Sequence, residues 1–424
     1  MLTLETNAPL VVPKQAQRRR VRVAVVNTHP IQYFAPLYAY LNQDPALEVT
    51  ALYCSDFSLR DGIDPGFKRT VTWDVNLLQG YPHVFVGNKN DRGAPGGFWS
   101  LSCPGIWSEI RSGKYDAVWL HGYNYAASIL AFSAAKSKGL PVLMRSETHL
   151  DLHGPVWRRR LRDAVLSVCY RFVDAFLAIG SANHAYYRAL GIPESRIFDA
   201  PYAVDNERFV SAATLTSDER ATLRRHYGLP VDQPVVLYAS KFNRRKHPDA
   251  VVRGMSMLWA AGHASTLFMV GSGEMEQELR DLAATCRPEH VVFGGFVNQR
   301  ELPQVYAASD IFVLAAENET WGLVVNEAMC AALPVVVSHQ MGCAVDLVKN
   351  GINGHLVPPG DANALAVALE RLLIDEPARK QMGAASRSMI SRWSYEQCRE
   401  GIEAALEAVA QPSGKRLGLA QTCQ

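Results

Sequence analysis

Paired cysteine is the first thing missing. The eight cysteines (Cys54, Cys103, Cys169, Cys286, Cys330, Cys343, Cys398 and Cys423) form no C-x-x-C pair and have no histidine nearby at metal-ligand spacing. That excludes a disulfide framework and a zinc module and suits reduced, mostly core thiols of a cytoplasmic protein. Charge of one sign is also lacking. Forty-three Lys+Arg against 41 Asp+Glu leave a net charge of +2, so bulk charge gives no pull toward nucleic acid, and an anionic ligand needs a local site. No run approaches the roughly 18 apolar residues of a spanning helix. Arg18-Arg19-Arg20 precedes an apolar stretch, but Arg22, Asn27 and His29 cut it short of a signal sequence. No Asp-x-Asp occurs.

What is present is an ordinary globular composition, 48% hydrophobic and 20% charged, in a chain of 424 residues. That length favours two domains or three. Short β-branched runs alternate with helical patterns: "VRVAVVN" (21–27), "LEVTALYC" (47–54), "YDAVWLHG" (115–122), "PVLMRSE" and "AFLAIGS" in the first half. "PVVLYAS", "STLFMVGSG", "VVFGGFV", "DIFVLAA", "LPVVVSH" and "NGHLVPPGD" follow in the second. Such alternation predicts parallel sheets covered by helices, hence an α/β fold of two tandem Rossmann-like doubly wound domains facing across a cleft. The expected boundaries are a tail at 1–20, a first domain at 21–205, a second at 206–390, a C-terminal helix at 391–410 that packs back on the first domain, and a tail at 411–424.

Open α/β sheets bind ligands at the carboxyl ends of their strands, and in the second domain these ends are polar. Lys241 and Lys246 follow the first strand, where two ammonium groups suit a diphosphate; a basic surface loop is the plainer alternative. Gly271 and Gly273 permit close backbone approach, or merely a tight turn. Most specific is "ETWGLVVNE" (319–327). Gly322 allows an exposed turn, a helix begins near Val324 or Val325, and its N-terminus offers N–H groups to an anion. Glu327 could accept hydrogen bonds from vicinal hydroxyls, and Glu319 from other hydroxyls. The plain readings are a first-turn glutamate and a solvated loop charge; joint placement with Gly322 and the lysines favours a site.

These residues resemble retaining glycosyltransferase family 4, the group 1 glycosyltransferases of the GT-B fold. "ETWGLVVNE" matches the family's pair of glutamates separated by seven residues. "SKFNRRKH" matches its basic loop, with Lys241 for the usual arginine, Lys246 at the lysine position and His247 for the glycine. The resemblance covers about 235–395 well and the first domain weakly, where "NTHP" replaces a Gly-Gly turn. It implies transfer of a sugar from a nucleotide-diphosphate sugar, a UDP-sugar being favoured, to an acceptor hydroxyl with retention, and the lack of Asp-x-Asp predicts that the transfer is metal-independent. It implies roles too: Glu327 for the ribose, Lys241 and Lys246 for the diphosphate, and Glu319 with the backbone at Gly322 and Leu323 for the sugar and distal phosphate. The backbone near Val297 would meet the base, Gly271 would allow close approach, and His121 from the facing domain would touch the sugar. No metal or resident cofactor is implied. The alternatives are a non-catalytic sugar-nucleotide-binding subunit and a glycoside hydrolase.

Two expectations concern surfaces. The excursion 87–107 is a candidate acceptor loop. In "WRRRLRDAVLSVCYRF", Leu161, Val165, Val168 and Phe172 fall at helical spacing and are expected to pack on the core beneath a solvated basic face; weak peripheral contact with the inner face of a membrane is the alternative.

Overall fold

The computed structural model describes residues 20–60, 62–64, 66–87, 96–150 and 155–410. Most of both predicted tails, and residues 88–95 of the candidate acceptor loop, lie outside these. The first half of the chain contributes β1 (Val21–Asn27), β2 (Leu47–Tyr53), a hairpin of β3 (Gly62–Asp64) and β4 (Arg69–Val71), β5 (His83–Phe85), β6 (Ala117–His121), β7 (Val142–Arg145), β8 (Ala175–Ala178) and β9 (Ile197–Asp199). Seven of these form a parallel sheet in the order β5-β2-β1-β6-β7-β8-β9. The second half contributes β10 (Val235–Ala239), β11 (Thr266–Val270), β12 (Val291–Gly295), β13 (Ile311–Leu314), β14 (Val335–Ser338) and β15 (Gly354–Val357), parallel in the order β12-β11-β10-β13-β14-β15.

Burial on both faces explains the apolar runs. In β1, Val25 pairs with Ala51 on one side and Trp119 on the other, and all three are buried, so no polar face alternates through the strand. In both sheets the strand order reverses beside one strand, β1 in the first and β10 in the second. A crevice opens outside the carboxyl ends at such a reversal, because the flanking connections leave in opposite directions.

The halves are joined at several places. Asp205 caps the helix Asn206–Ala212, and Asn206 in that helix donates to the carbonyls of Ile390 and Trp393. The C-terminal helix Tyr395–Ala410 returns to the first sheet, where the Tyr40 hydroxyl donates to Glu396 at 2.5 Å and Arg399 meets Asp44 at 2.9 Å. The chain just before and after β4 crosses to the second domain: Ser272 donates to the Phe67 carbonyl, Asn298 to that of Thr72, and the Phe67 and Phe296 rings lie 4.9 Å apart.

The structure corrects one expectation. The basic helix Val156–Cys169 turns only Leu166 fully into the protein, with Tyr170 just beyond it; Leu161, Val165, Val168 and Phe172 are exposed. Helical spacing identifies a stripe but not what covers it, and among the described residues nothing does. Among the described residues no helix is long and apolar enough to cross a membrane.

Candidate active site

The carboxyl ends of β10 and β13, neighbours at the reversal of the second sheet, border a cavity of about 510 Å³ whose opposite wall is the first domain. Eight of the nine residues given a catalytic or binding role in the sequence line it: Lys241, Lys246, Gly271, Val297, Glu319, Gly322, Leu323 and Glu327. The ninth, His121, does not.

The chain leaves β13 and turns at Gly322, whose φ of 103° lies in the left-handed region that a side chain disfavours. A Cβ there would sit 2.4 Å from the Met341 methyl, which would have to shift, so the left-handed backbone is the stronger demand for glycine. The helix Leu323–Cys330 starts at the next residue, one or two earlier than expected, and its first N–H groups lie outside the helical ladder. Glu327 therefore falls in the second turn. Its side chain is buried on the cavity floor and accepts a hydrogen bond from the Tyr306 hydroxyl at 2.6 Å. Burial pushes its pKa up to about 7, against the opposing pull of Tyr306 and Arg208.

Glu319 and Lys246 form an ion pair, with side chains only 19% and 13% exposed, so two of the residues expected to meet a ligand engage each other. The Lys241 ammonium lies 4.3 Å from the centre of the Phe67 ring, over its face, brought there by the segment that crosses from the first domain. His247, which stands where the family has glycine, keeps a left-handed backbone with φ 46°. Its ring fills the space over Gly360 and its Nε2 is 3.7 Å from Glu317. The substitution thus keeps the glycine-like turn and adds a side chain outside the cavity. Gly271 has φ 140°, and a Cβ there would be 2.0 Å from the Ser240 carbonyl oxygen; loop packing alone accounts for this glycine.

His121 ends β6 in a layer behind the cavity. Its Nε2 is 2.8 Å from the Tyr38 hydroxyl, and its ring lies 4.3 Å from Phe34 and 4.9 Å from Trp119. Burial, with Arg145 nearby, holds its pKa well below the usual histidine range, so it is neutral at pH 7. Phe34 in turn stacks on Tyr202, which does reach the cavity.

Sequence reading missed Tyr33, Glu147, Tyr202 and Tyr306, all of which line the cavity. Glu147 follows β7, so the strand-end rule applied to the second domain would have found it in the first. Its carboxyl accepts from Tyr202 at 2.6 Å, and burial raises its pKa. Two residues on, the His149 ring nitrogen lies 3.2 Å from the Glu319 backbone carbonyl, tying this loop to the opposite wall. Trp321, inside the glutamate motif, is an interdomain anchor: its indole donates to Asn326 at 3.0 Å, Asn326 donates to the Tyr202 carbonyl, and Gly180 of the first domain has no room for a Cβ against the indole ring.

Comparison with known proteins agrees with the two-domain fold. The family model of group 1 glycosyl transferases matches residues 219–389, and that of a glycosyl transferase 4-like domain matches residues 8–203. An uncharacterized glycosyltransferase of Methanocaldococcus jannaschii is 30% identical over 184 residues, 43% of this chain and 47% of the relative. A sulfoquinovosyl transferase of Arabidopsis thaliana is 28% identical over 340 residues, 76% of this chain and 64% of the relative. The chain thus spans roughly half to two thirds of the curated relatives it matches. In fold it is similar to Anabaena HepE, solved with UDP and glucose, with a TM-score of 0.67 and 18% identity over 92% of this chain and all of that one. It is also similar to a Rickettsia africae glycosyltransferase, with a TM-score of 0.70 and 17% identity over 93% of this chain and all of that one.

Proposed function

Because the chain belongs to the group 1 glycosyltransferases and has their two-domain GT-B fold, we propose that it moves a sugar from a nucleotide-diphosphate sugar to an acceptor hydroxyl, in the cytoplasm, with retention of anomeric configuration and without a metal. The observation that carries this reading is convergence: two carboxylates, two ammonium groups and a helix N-terminus meet in one interdomain cavity. A UDP-sugar is the favoured donor, in keeping with the ligands of HepE.

Each group suits one part of such a donor. Glu327 on the floor accepts hydrogen bonds from the ribose hydroxyls, and the backbone at Val297 faces the base. Lys241, Lys246 and the N–H groups at Gly322 and Leu323 hold the diphosphate and stabilise the charge that grows on it as it leaves. These cations take the place a metal fills elsewhere. Lys246 already pairs with Glu319, so a donor enters by parting them, offering phosphate to the lysine and sugar hydroxyls to the glutamate.

In the transfer, the bond from the anomeric carbon to the phosphate oxygen breaks, and the acceptor oxygen bonds to that carbon on the same face. The acceptor proton passes to the departing phosphate, so no side-chain base is required. Tyr202 and Glu147, on the first-domain wall, face the acceptor side. His121, one layer back, supports that wall through Phe34 and Tyr202.

The test is a thermal-shift screen of nucleoside diphosphates and their sugars, followed by an assay of donor hydrolysis and transfer with and without EDTA. A UDP-sugar should stabilise the protein and be turned over, with EDTA making no difference. Release of free sugar from a glycoside without any nucleotide would overturn the proposal in favour of a hydrolase. Donor binding without hydrolysis or transfer to any acceptor would favour the non-catalytic subunit.

A further inference from the structure

The basic helix Val156–Cys169 has a face that the catalytic reading does not use. Val156, Trp157, Leu161, Val165, Val168 and the following Phe172 are each between 52 and 64% exposed. At about 100° per residue, Trp157, Leu161, Val165 and Val168 fall within one stripe some 80° wide, opposite the buried Leu166. Arg158 borders the stripe on one side and Arg160 on the other, and both are exposed. The single carboxylate of the helix, Asp163, is already held by Arg162 and the Tyr186 hydroxyl. The stripe therefore has cationic edges with no acidic residue on the helix left to answer them.

We propose that this helix lies in the interface of a membrane carrying anionic headgroups, with Trp157, Leu161, Val165, Val168 and Phe172 among the acyl chains and Arg158 and Arg160 on the phosphates. Charge selects this occupant over a second copy of the chain, since a two-fold contact between two such helices sets arginine against arginine. The placement also orients the cleft. Glu147, which lines the cavity, precedes the helix by nine residues, so a docked helix holds the acceptor wall close to the lipid surface.

The test is co-sedimentation of the full chain with vesicles of phosphatidylcholine and phosphatidylglycerol, against phosphatidylcholine alone. It uses neither donor nor acceptor and so stands apart from glycosyl transfer. Binding should be selective for the anionic vesicles, weaken as salt is raised and shift tryptophan emission to the blue. Replacing Arg158 and Arg160 together by Gln should lower partitioning roughly thirtyfold, from the contribution typical of each basic residue at an anionic surface. Leu161→Gln with Val165→Gln should abolish binding while leaving the melting temperature unchanged, because both positions are exposed. Equal binding to neutral vesicles, or none to either, overturns the proposal. So does a wild-type dimer in sedimentation velocity that the Leu161→Gln, Val165→Gln variant dissociates, which would make the occupant a second copy.

Discussion

Glu327 combines two properties that seldom occur together in a carboxylate: burial, and a place on the floor of a cavity. Its pKa of about 7 against an ordinary 4.5 means that in the free protein it takes up its proton near neutral pH. Its contribution to stability is therefore fully present below pH 4.5 and is lost as pH rises through about 7. Glu327→Gln should flatten the pH dependence of the melting temperature over that window. Nucleotide binding should run the other way, since ribose hydroxyls donate best to the ionised form. UDP affinity should rise from pH 6 to pH 8 in calorimetry, with proton release that Glu327→Gln removes. Glu327→Ala should weaken UDP by roughly 1.5–3 kcal/mol, as for hydrogen bonds to a charged group; unchanged affinity would contradict the ribose role. For Glu319→Ala the expected loss falls on turnover more than on UDP affinity, and equal losses in both would count against a sugar-contacting role.

At the scale of elements, the turn between β13 and the helix Leu323–Cys330 is the part least tolerant of change. Gly322→Ala forces a side chain into the left-handed region and onto Met341, and should cost roughly 1–3 kcal/mol of stability. Chemical denaturation measures this directly, and loss of donor binding should accompany it. The same scale shows what was legible in sequence. The six strands of the second sheet are runs of four or five residues, most of them apolar, and the lysines follow β10 while the glutamates follow β13. In the first sheet β5 and β9 have three residues each, too few for periodicity to mark. Tyr33, Tyr202 and Tyr306 carry no chemical signal of their own in the sequence; they become site residues only when two sheets fold against each other. The basic helix was misread because periodicity carries no information about its neighbours.

At the scale of the whole molecule, the two domains are clasped by the C-terminal helix as well as by the chain that links them. Gly401 brings that helix so close to β9 that a Cβ would lie 1.9 Å from the Asp199 carbonyl oxygen. Gly401→Leu should lever the helix away from the first sheet and destabilise the protein by roughly 1–3 kcal/mol, as overpacking does. Limited proteolysis should then cut preferentially before Tyr395, whereas a wild-type cleavage pattern would show that the helix adjusts without releasing the clasp.

The pairing of Lys246 with Glu319 has a consequence for traffic through the cleft. A ligand that brings only phosphate satisfies the lysine and strands the glutamate, and one that brings only hydroxyls does the reverse. The intact donor satisfies both at once. On the proposed assignment, the Lys246–Glu319 pair thus works as a coincidence detector, favouring a ligand that carries phosphate and sugar together over either alone.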